Sequence, residues 1–500
     1  MKHDTLAAVD LGSNSFHLQI GRVIEDQIYL FDSLREPVRL GAGLSRDKRL
    51  DRATQLRALE ALRRMGERLR GFPKGAVRAI GTNTLRVAKN AESFLAEAET
   101  VLGFPIEVVF GREEARLIYL GVAHSLPPGA DRRLVVDIGG GSTEFVIGTG
   151  LEPELVESIP VGCVSHSLKF FPNGRLEKAS FKKAELAAAN ELQRLVKNYR
   201  RTGWSEAVGS SGTVKAVAAI LIAQQWTEHG ITAEGLERLR SHMTKSGELG
   251  KLKLSGLRED RVSTIAGGVA ILAAVFSQLG IERMEVSEGA LRHGVLYDLL
   301  GRALHHDMRE ATVGHFQRRY HVDIAQSERV CQLAARIDAD LGPAAEADFQ
   351  MLRWAGGLHE IGISIAHTGY HKHSAYILSQ ADMPGFSQRD QRRLARIVLA
   401  HRGKLAKQEL QDLPAASPEW SLIIALRLAV LFCRSRGDVA LPDIRCRVID
   451  TGFEVALPGT WLEQHPLTDA ALETEADEWR AVGLKLEVLR LPDENPRAAQ

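Results

Sequence analysis

The sequence predicts an α/β protein with two similar lobes, followed by an all-helical domain and a small α+β piece. The first observation is a repeated motif, in which an apolar run, an acidic residue and a Gly/Ser-rich turn stand at 6–20 and again at 134–147. The second is a change near residue 303, after which the pattern is almost entirely helical. The third is a return to short alternating runs after Leu441-Pro442, which is typical of strands.

The repeated motif carries most of this argument. Aligning Asp10 with Asp137 also brings the glycines and serines of the two turns into register. A hairpin rich in glycine lets the backbone approach an anion, and an acidic residue just before the bend could hold a divalent metal beside it. One such hairpin is more often a plain turn, at odds of about two to one. Two in one chain indicate two lobes that face each other, with a phosphorylated ligand and its metal between them.

The first lobe is predicted to span residues 1–124. Ala53, Leu56, Leu59, Leu62, Met65 and Leu69 recur at helical spacing, which predicts an amphipathic helix. The predicted elements in order are three strands within 5–32, a helix at 51–70, a strand at 77–81, a helix at 91–102, a strand at 105–110 and a helix that begins at Gly111.

The second lobe, predicted for 125–302, begins at the Pro127-Pro128-Gly129 boundary. A glycine turn within 207–215 precedes a helix, so its residues Gly209, Ser211 and Gly212 are further candidates for contact with a phosphate at a helix N-terminus. The predicted elements are strands from 133 to about 160, helices at 164–171 and 178–200, the strand and turn at 207–215, a helix at 261–278, a strand at 284–287 and a helix at 288–300.

Two further segments complete the chain. Residues 303–440 are predicted to form the helical domain, and residues 441–500 the small α+β piece. In that last piece we predict strands at 445–449, 454–457 and 484–491, a helix at 467–480, and a frayed tail at 492–500.

Composition narrows the function classes. Five hundred residues exceed one core, so three or four domains are expected. The net charge of +1 gives no general attraction to nucleic acid or membranes, so a polyanionic ligand needs a local basic patch. The four cysteines are far apart and lack a Cys-x-x-Cys pair, which predicts reduced thiols in a cytoplasmic protein. We expect no signal peptide, and no apolar run of spanning length.

Hydrolysis of a phosphoanhydride needs an in-line water, a group that deprotonates it, and positive charge on the phosphate oxygens. Asp10 and Asp137 could share a Mg²⁺, while Glu113, Glu114 or Glu144 acts on the water. Adjacent helical residues point about 100° apart, so one of Glu113 and Glu114 faces the cleft, and spacing does not say which. Acidic residues in a first helical turn also simply complement the helix dipole.

Two more residues have open interpretations at this point. Glu144 lies just past the glycine bend and is either a metal-site residue or a solvated strand residue, at about even odds. Arg86 ends the segment 81–86, Gly-Thr-Asn-Thr-Leu-Arg, and could clamp a phosphate with two hydrogen bonds. Taken alone, a surface ion pair is the better interpretation of Arg86.

Several blocks in one order resemble the exopolyphosphatase and guanosine pentaphosphate phosphohydrolase family. The combination is far more specific than any single block, and the resemblance covers essentially the whole chain. The blocks are 10–17, 81–86, 111–118, 137–144, 209–213 and 287–292.

The resemblance implies the actin-like (ribonuclease-H-like), two-lobed ATPase fold for residues 1 to about 300. It implies processive, Mg²⁺-dependent removal of terminal orthophosphate from polyphosphate, with Glu114 as the catalytic base. It assigns metal binding to Asp137 and Glu144, with Asp10 as a third candidate. Its substrate-binding residues correspond here to Asn14, Ser15, Arg86, Gly139, Gly140, Gly141, Ser142 and Thr143.

The resemblance also sets expectations for cofactors and partners. Mg²⁺ is the expected cofactor, with K⁺ as a further candidate activator. Inorganic polyphosphate is the expected substrate and guanosine pentaphosphate the second candidate, and no nucleic-acid partner is expected. We expect a cytoplasmic homodimer without a membrane span, for which membrane association would at most be peripheral.

The helical domain resembles the HD phosphohydrolase fold but departs from its motif. His359-Glu360 stands where a His-Asp pair is expected, and Val430 stands where the closing metal-binding aspartate would fall. Because an apolar residue does not bind a metal, we expect no second active site. His371, His373 and His401 are interpreted as helix-packing or surface residues, or as part of a basic track for a polyanion.

Four functions therefore remain in order of preference. Exopolyphosphatase leads, and hydrolysis of guanosine pentaphosphate follows within the same class. Gly141 favours polyphosphate, because nucleotide-directed members of the family often carry alanine there. A small-molecule kinase of the same fold would need an adenine pocket and would not need the Glu113-Glu114 pair. A non-catalytic nucleotide-dependent clamp is disfavoured by a carboxylate placed to activate water.

Overall fold

Two mixed β-sheets built on one plan form the first part of the chain. The computed structural model describes residues 3–24, 27–127, 131–303, 307–342, 345–405, 407–411, 413–437 and 440–492. It divides into two compact units, Met1–Met308 and Arg309–Gln500. Residues 128–130 of the predicted lobe boundary, and the predicted frayed tail from 493, lie outside the described residues.

The first unit contains eleven strands and ten α-helices within its described residues. The strands are β1 (Thr5–Leu11), β2 (Phe16–Ile24), β3 (Gln27–Glu36), β4 (Val77–Gly81), β5 (Ile106–Val108), β6 (Arg132–Ile138), β7 (Thr143–Thr149), β8 (Glu152–Ile159), β9 (Glu206–Ser210), β10 (Ile231–Thr232) and β11 (Arg283–Val286). The helices are α1 (Arg52–Arg68), α2 (Asn83–Val87), α3 (Ala91–Leu102), α4 (Gly111–Ser125), α5 (Cys163–Phe170), α6 (Lys178–Thr202), α7 (Ser211–Ala223), α8 (Ala233–Ser246), α9 (Val262–Leu279) and α10 (Leu291–Ala303).

The two sheets repeat the same strand order. The first runs β3-β2-β1-β4-β5, and the second contains β8-β7-β6-β9 followed by β11 and β10. In each sheet three consecutive antiparallel strands form a meander, and a fourth strand pairs in parallel with the first of them. These parallel pairs are β4 with β1 and β9 with β6. The register places Asp10 opposite His17 and Asp137 opposite Glu144. The internal repeat that the sequence predicted is therefore confirmed, and so is the two-lobed α/β class.

Several element boundaries differ from the predicted ones for local reasons. The strand predicted at 105–110 is reduced to β5, because Pro105 has no N–H to donate to a ladder and the last residues lead into α4. The helix predicted from 288 begins at Leu291, since Gly289 packs against the backbone of Gly121. Helix α8 was not predicted, although Thr232 caps it by accepting a hydrogen bond from the amide of Gly235 at 3.1 Å.

Helix α9 corrects one expectation about membrane segments. Residues 259–279 are long and apolar enough to cross a membrane by length and composition, although no such run was expected. However, 72% of an 18-residue apolar stretch within this segment is buried inside the protein. Helix α9 packs against α5 and α6 in the core of the second lobe, and a core helix passes the same test.

The second unit combines helices with a small sheet around one hydrophobic core. Its elements are α11 (Met308–Arg319), α12 (Ile324–Leu341), α13 (Glu346–Leu358), α14 (Tyr370–Gln380), α15 (Gln388–Ala400), α16 (Glu419–Phe432), β12 (Arg445–Ile449), β13 (Gly452–Pro458), α17 (Gly459–Gln464), α18 (Pro466–Arg480) and β14 (Lys485–Leu491). Strand β13 lies between antiparallel β12 and parallel β14. A buried ion pair between Arg427 on α16 and Glu475 on α18 links the two parts of the unit.

The histidines of this unit do not all belong to a basic surface. His359 and His401 are each 1% exposed, and each Nδ1 lies within hydrogen-bond distance of a backbone carbonyl three residues earlier in the chain. Burial lowers the pKa of both imidazoles, so they are neutral at neutral pH. The interpretation of His401 as part of a polyanion track is therefore wrong, and its role as a helix-packing residue is confirmed. Val430 packs against the core, as an apolar residue should.

Candidate active site

A cleft with about 750 Å³ of empty space opens where the two hairpin loops of the first unit face each other. The ends of β1 and β6, the first turns of α4 and α7, and the start of α10 form its walls. Most of the predicted site residues line it: Asp10, Asn14, Ser15, Glu114, Asp137, Gly139, Gly140, Gly141, Ser142, Ser211 and Gly212.

The first hairpin loop, which follows β1, and the second, which follows β6, lie so close together that a side chain at Gly140 would collide with Ser13. A Cβ atom on Gly140 would lie 2.9 Å from Ser13 Cβ and 3.5 Å from the amide nitrogen of Asn14. The first loop is held in place by residues that follow β3, since the carbonyl of Asn14 accepts from the amide of Arg39 at 2.8 Å. Glycine at position 140 therefore permits the contact that brings the two lobes together around the cleft.

The second loop presents backbone amides to the cleft. Its carbonyls are directed away, because Gly139 O accepts from the Cys163 amide at 2.9 Å and Gly140 O from the Val164 amide at 3.0 Å, both in the first turn of α5. Within the described part of the chain, the amides of Gly140 and Gly141 donate no backbone hydrogen bond. Successive free amides in a glycine loop form a concave anion site, which suits a phosphate group.

Buried carboxylates give the cleft a strong electrostatic character. Burial raises the pKa of Asp10 to about 7, and the negative charges of Glu114 and Asp137 add to this while Arg292 opposes it. Burial likewise raises the pKa of Asp137 to about 6, with Glu114 adding to the rise. The pKa of Glu144 is also raised by burial and by the same neighbouring carboxylates. The site therefore concentrates negative charge that a cation would neutralise.

The structure separates the two adjacent glutamates at the start of α4. Glu114 lines the cleft. Glu113 instead faces the interior, where both of its oxygens accept from the guanidinium of Arg116 at 2.8 Å. The expectation that only one member of the pair faces the cleft is confirmed, and packing identifies that member as Glu114.

A buried ionic network behind the cleft fixes the start of α4. Arg116 also donates to Asp298 on α10, and Asp298 accepts from Arg78 at 2.7 Å and from Arg302 at 3.0 Å. Burial alone would raise the pKa of the Asp298 carboxyl, but Arg116 and Arg78 hold it far below its usual range. The network ties α4 to α10 and β4, so it sets the rotation of the helix that carries Glu114.

Four predicted site residues do not line the cleft directly. Arg86 lies behind Glu114, where its Nη1 donates to Glu114 Oε2 at 2.7 Å and to the carbonyl of Val109 at 2.9 Å. Glu144 is 1% exposed and accepts from Ser158 Oγ at 2.9 Å. Thr143 donates to the carbonyl of Val161 at 2.6 Å, and Gly209 packs against Val214 and Met284. Their predicted contacts with metal or phosphate stay predictions.

The sequence analysis did not single out several cleft residues. Arg292 lies 3.9 Å from Asp10 at the start of α10, and it ends a block that carried the resemblance. Arg261 lies against Gly212 at the N-terminus of α7, and no local pattern marked it. His17 stands opposite Asp10, and burial with Arg292, Arg35 and Arg261 nearby lowers its pKa to about 2. Asn83 and Cys163 also line the cleft.

The residues present suit a magnesium ion shared with substrate. Among the described residues, no group of three or more His, Cys, Asp or Glu side chains forms a ready-made metal site. However, Asp10 Oδ1 and Glu144 Oε2 are buried without a hydrogen-bond partner in the described structure. Mg²⁺ is usually bound by one or two carboxylates together with substrate phosphates and water, so these oxygens fit it. Asp10 lies opposite His17 on the neighbouring strand, whereas Asp137 lies opposite Glu144. The second lobe therefore supplies two of the three carboxylates that could bind the metal.

Comparisons with known proteins identify a family and solved structures to which this chain is similar. The model of the Ppx/GppA phosphatase family matches residues 20–303, and that of Ppx/GppA phosphatase domain III matches residues 308–476. An exopolyphosphatase from Cytophaga hutchinsonii is similar in structure, with 24% identity and a TM-score of 0.55 over 60% of this chain and 98% of that chain. The Aquifex aeolicus PPX-GPPA enzyme has 28% identity and a TM-score of 0.50 over 59% of this chain and 98% of that one.

Proposed function

The chain belongs to the Ppx/GppA phosphatase family, and we propose that it is an exopolyphosphatase. In this proposal it removes terminal orthophosphate from inorganic polyphosphate with Mg²⁺ as cofactor. The observation that carries the proposal is the position of Glu114, a carboxylate that lines a cleft between two loops rich in glycine and serine. Such loops alone would only bind phosphate, whereas a carboxylate beside them can activate water.

Glu114 acts as the general base in this mechanism. Arg86 holds Glu114 Oε2 at 2.7 Å, so the carboxylate is oriented before substrate arrives. Its other oxygen is then available to accept a proton from a water aligned with the terminal phosphorus. As that water attacks, the proton passes to Glu114 and the bond to the bridging oxygen breaks, which leaves a chain shorter by one phosphate.

Positive groups and amides stabilise the phosphate oxygens. The amides of Gly140 and Gly141 lie on one side of the cleft, and the N-terminus of α7 with Arg261 lies on another. Arg292 is 3.9 Å from Asp10 and is available to a phosphate oxygen as well. Charge that develops on the leaving and transferred groups is stabilised best by donors that are already in place.

Magnesium would be held by Asp10, Asp137 and Glu144 together with substrate oxygens. When bound, it would supply positive charge to the phosphate oxygens of the terminal group. The chain's own contribution is to bury these carboxylates and to leave Asp10 Oδ1 and Glu144 Oε2 without a hydrogen-bond partner among the described residues, so that both oxygens are available to a hard cation.

We further propose that the second unit binds part of a long polyphosphate molecule. The first turn of α14 has no acidic residue and carries Lys372, which is exposed. Arg402 and Lys404, also exposed, follow the end of α15. Lys407 has its pKa lowered to about 8 by burial and by the charges of Arg427 and Lys372. This local excess of positive charge suits a polyanion.

Hydrolysis of guanosine pentaphosphate is the second candidate. Gly141 bears on the choice, because a Cβ at that position would collide with the side chain of Asn83, which lines the cleft. Glycine leaves Asn83 in place beside the loop, whereas alanine would displace it. The difference at this position supports polyphosphate, and a nucleotide substrate remains the alternative to test.

A substrate panel tests the proposal. We expect phosphate release from long-chain polyphosphate in the presence of Mg²⁺, and little release once the ion is chelated. Guanosine pentaphosphate, measured in parallel by nucleotide chromatography, should be converted more slowly. Conversion of guanosine pentaphosphate without any release from polyphosphate would contradict the proposal and establish the second candidate.

A further inference from the structure

A second cavity in the first unit shares no lining residue with the catalytic cleft. It has about 530 Å³ of empty space and lies between strand β3 and the helices α4 and α10. Ile28 and Leu30 on the strand and Leu296 on α10 supply an apolar wall. The mixture of an apolar wall with a few polar groups is typical of small-molecule sites.

Among the described residues, the walls of this cavity carry no charged group at neutral pH. His124 and Tyr297 stack with their ring centroids 3.6 Å apart and their planes 3° apart. Burial lowers the pKa of His124, and burial together with Arg292 lowers that of His293 to about 4. Both imidazoles are therefore neutral, so the cavity favours an uncharged ligand, in contrast to the phosphate-binding cleft.

One polar atom of the cavity lining lacks a partner. Nδ1 of His293 is buried and forms no hydrogen bond within the described part of the chain. A buried polar group without a partner is unfavourable, which indicates that something else satisfies it. A neutral imidazole has one donor and one acceptor nitrogen, and a hydroxyl group can bond to either.

We propose that this cavity binds a small, uncharged aromatic molecule that carries a hydroxyl group, of which phenol is the simplest example. The ring packs against the apolar wall and the His124–Tyr297 stack, while the hydroxyl bonds to His293 Nδ1. Either tautomer of His293 accommodates this arrangement, since the hydroxyl both donates and accepts.

The cavity is placed to affect the catalytic cleft through two helices. Gly294 on α10 packs directly on the backbone of Leu117, and Gly121 on α4 packs on the backbone of Ala290, with no side chain between. The same helices carry Glu114 and Arg292 into the cleft. Because tightly packed helices shift as units, a ligand beside them changes the geometry at both positions. This consequence rests on the proposed function, whereas binding itself does not.

Binding is tested on the full chain without any substrate. Phenol and toluene have similar shapes and differ by the hydroxyl, and saturation-transfer NMR measures both affinities. We expect phenol to bind about threefold to tenfold tighter than toluene, as expected for one added hydrogen bond. The preference should vanish in His293→Phe and persist in Tyr29→Phe, since Tyr29 is exposed and does not line the cavity.

Two results would overturn the proposal: equal affinities for phenol and toluene, or a preference for phenol that survives in His293→Phe. Circular dichroism shows whether His293→Phe is folded. If it is not, Leu30→Trp replaces it, because Leu30 is 42% exposed and a larger ring there should exclude both ligands. Binding that is unchanged in Leu30→Trp would place the ligand elsewhere and refute the assignment.

The link to catalysis has a separate readout. Saturating phenol should change the rate of phosphate release from polyphosphate in the unmodified protein and not in His293→Phe. An unchanged rate despite measured binding would refute the coupling through α4 and α10. Failure of the proposed function would look different, since no phosphate would be released even without phenol.

Discussion

The adjacent glutamates at the start of α4 allow a matched test of the mechanism. Glu114 lines the cleft, whereas both oxygens of Glu113 bind Arg116 in the buried network. Changing each to glutamine removes one negative charge and keeps nearly the same shape. We expect Glu114→Gln to impair catalysis with little effect on folding, and Glu113→Gln to impair folding more than chemistry.

The expected magnitudes follow from the contacts. Loss of a general base typically costs a factor of about 10² to 10⁴ in turnover, or about 3–5 kcal/mol in the activation barrier. Glu113→Gln weakens a two-bond, charge-assisted contact with a buried guanidinium that keeps Asp298 as a second partner. Because one partner remains, we expect less than the about 3–5 kcal/mol of a fully broken buried pair, and set it at about 2 kcal/mol in the free energy of unfolding.

Two assays separate the effects. Phosphate release from polyphosphate gives turnover, and urea unfolding followed by circular dichroism gives the free energy of unfolding. Polyphosphate binding to Glu114→Gln should persist, since the amides and arginines of the cleft are unchanged. Near-normal turnover of Glu114→Gln, or an equal loss of turnover in both variants, would refute the assignment of Glu114 as the base.

Four further outcomes are expected. Asp137→Asn should raise the Mg²⁺ concentration needed for half-maximal phosphate release by at least about tenfold, and an unchanged requirement would remove Asp137 from the metal site. The folded-state pKa of Asp298 lies below its unfolded value of about 3.9, so its stabilisation is present above about pH 4 and is lost as pH falls further. Asp298→Asn should therefore flatten the acid limb of unfolding stability measured between pH 5 and 2, and an unaltered slope would contradict the network. Residues 1–308 alone should cleave short polyphosphates but lose the preference for long chains, which chain-length profiles by gel electrophoresis would show or refute. Gly141→Ala should displace Asn83 and lower polyphosphate turnover relative to guanosine pentaphosphate turnover, and an unchanged ratio would show that position 141 does not discriminate.

Local patterns predicted most elements because their causes are local. Strand β4 and helix α3 have the predicted bounds, since glycine and proline signals and helical periodicity act over a few residues. Helix α8 was not predicted although its capping residue is in the sequence. Strand β5 was predicted too long because the apolar residues that follow it were taken as strand rather than as the entry to α4.

The positions of His401 and Arg261 depend on contacts between segments that are distant in the sequence. The sequence left His401 either as a helix-packing or surface residue or as part of a basic track, and packing of α15 against its neighbours buries it. Arg261 enters the cleft because the start of α9 meets the N-terminus of α7, two segments about fifty residues apart in the chain. Contacts between distant segments leave no periodic signature, so no local pattern could have marked this residue.

The sequence by itself determined the two-lobed plan and the family. The repeated hairpins at Asp10 and Asp137 form the same kind of turn, because both combine an apolar run, an acidic residue and a turn of glycine and serine. Spacing left Glu113 and Glu114 equivalent and the family resemblance implied Glu114, but only the tertiary structure shows why Glu114 faces the cleft. Glu113 and Glu114 are chemically identical neighbours, and they differ only because α10 brings Asp298 to the Arg116 side of α4. Glu113 on that side belongs to a buried ionic network. Glu114 points to the other side, toward the cleft and its loops.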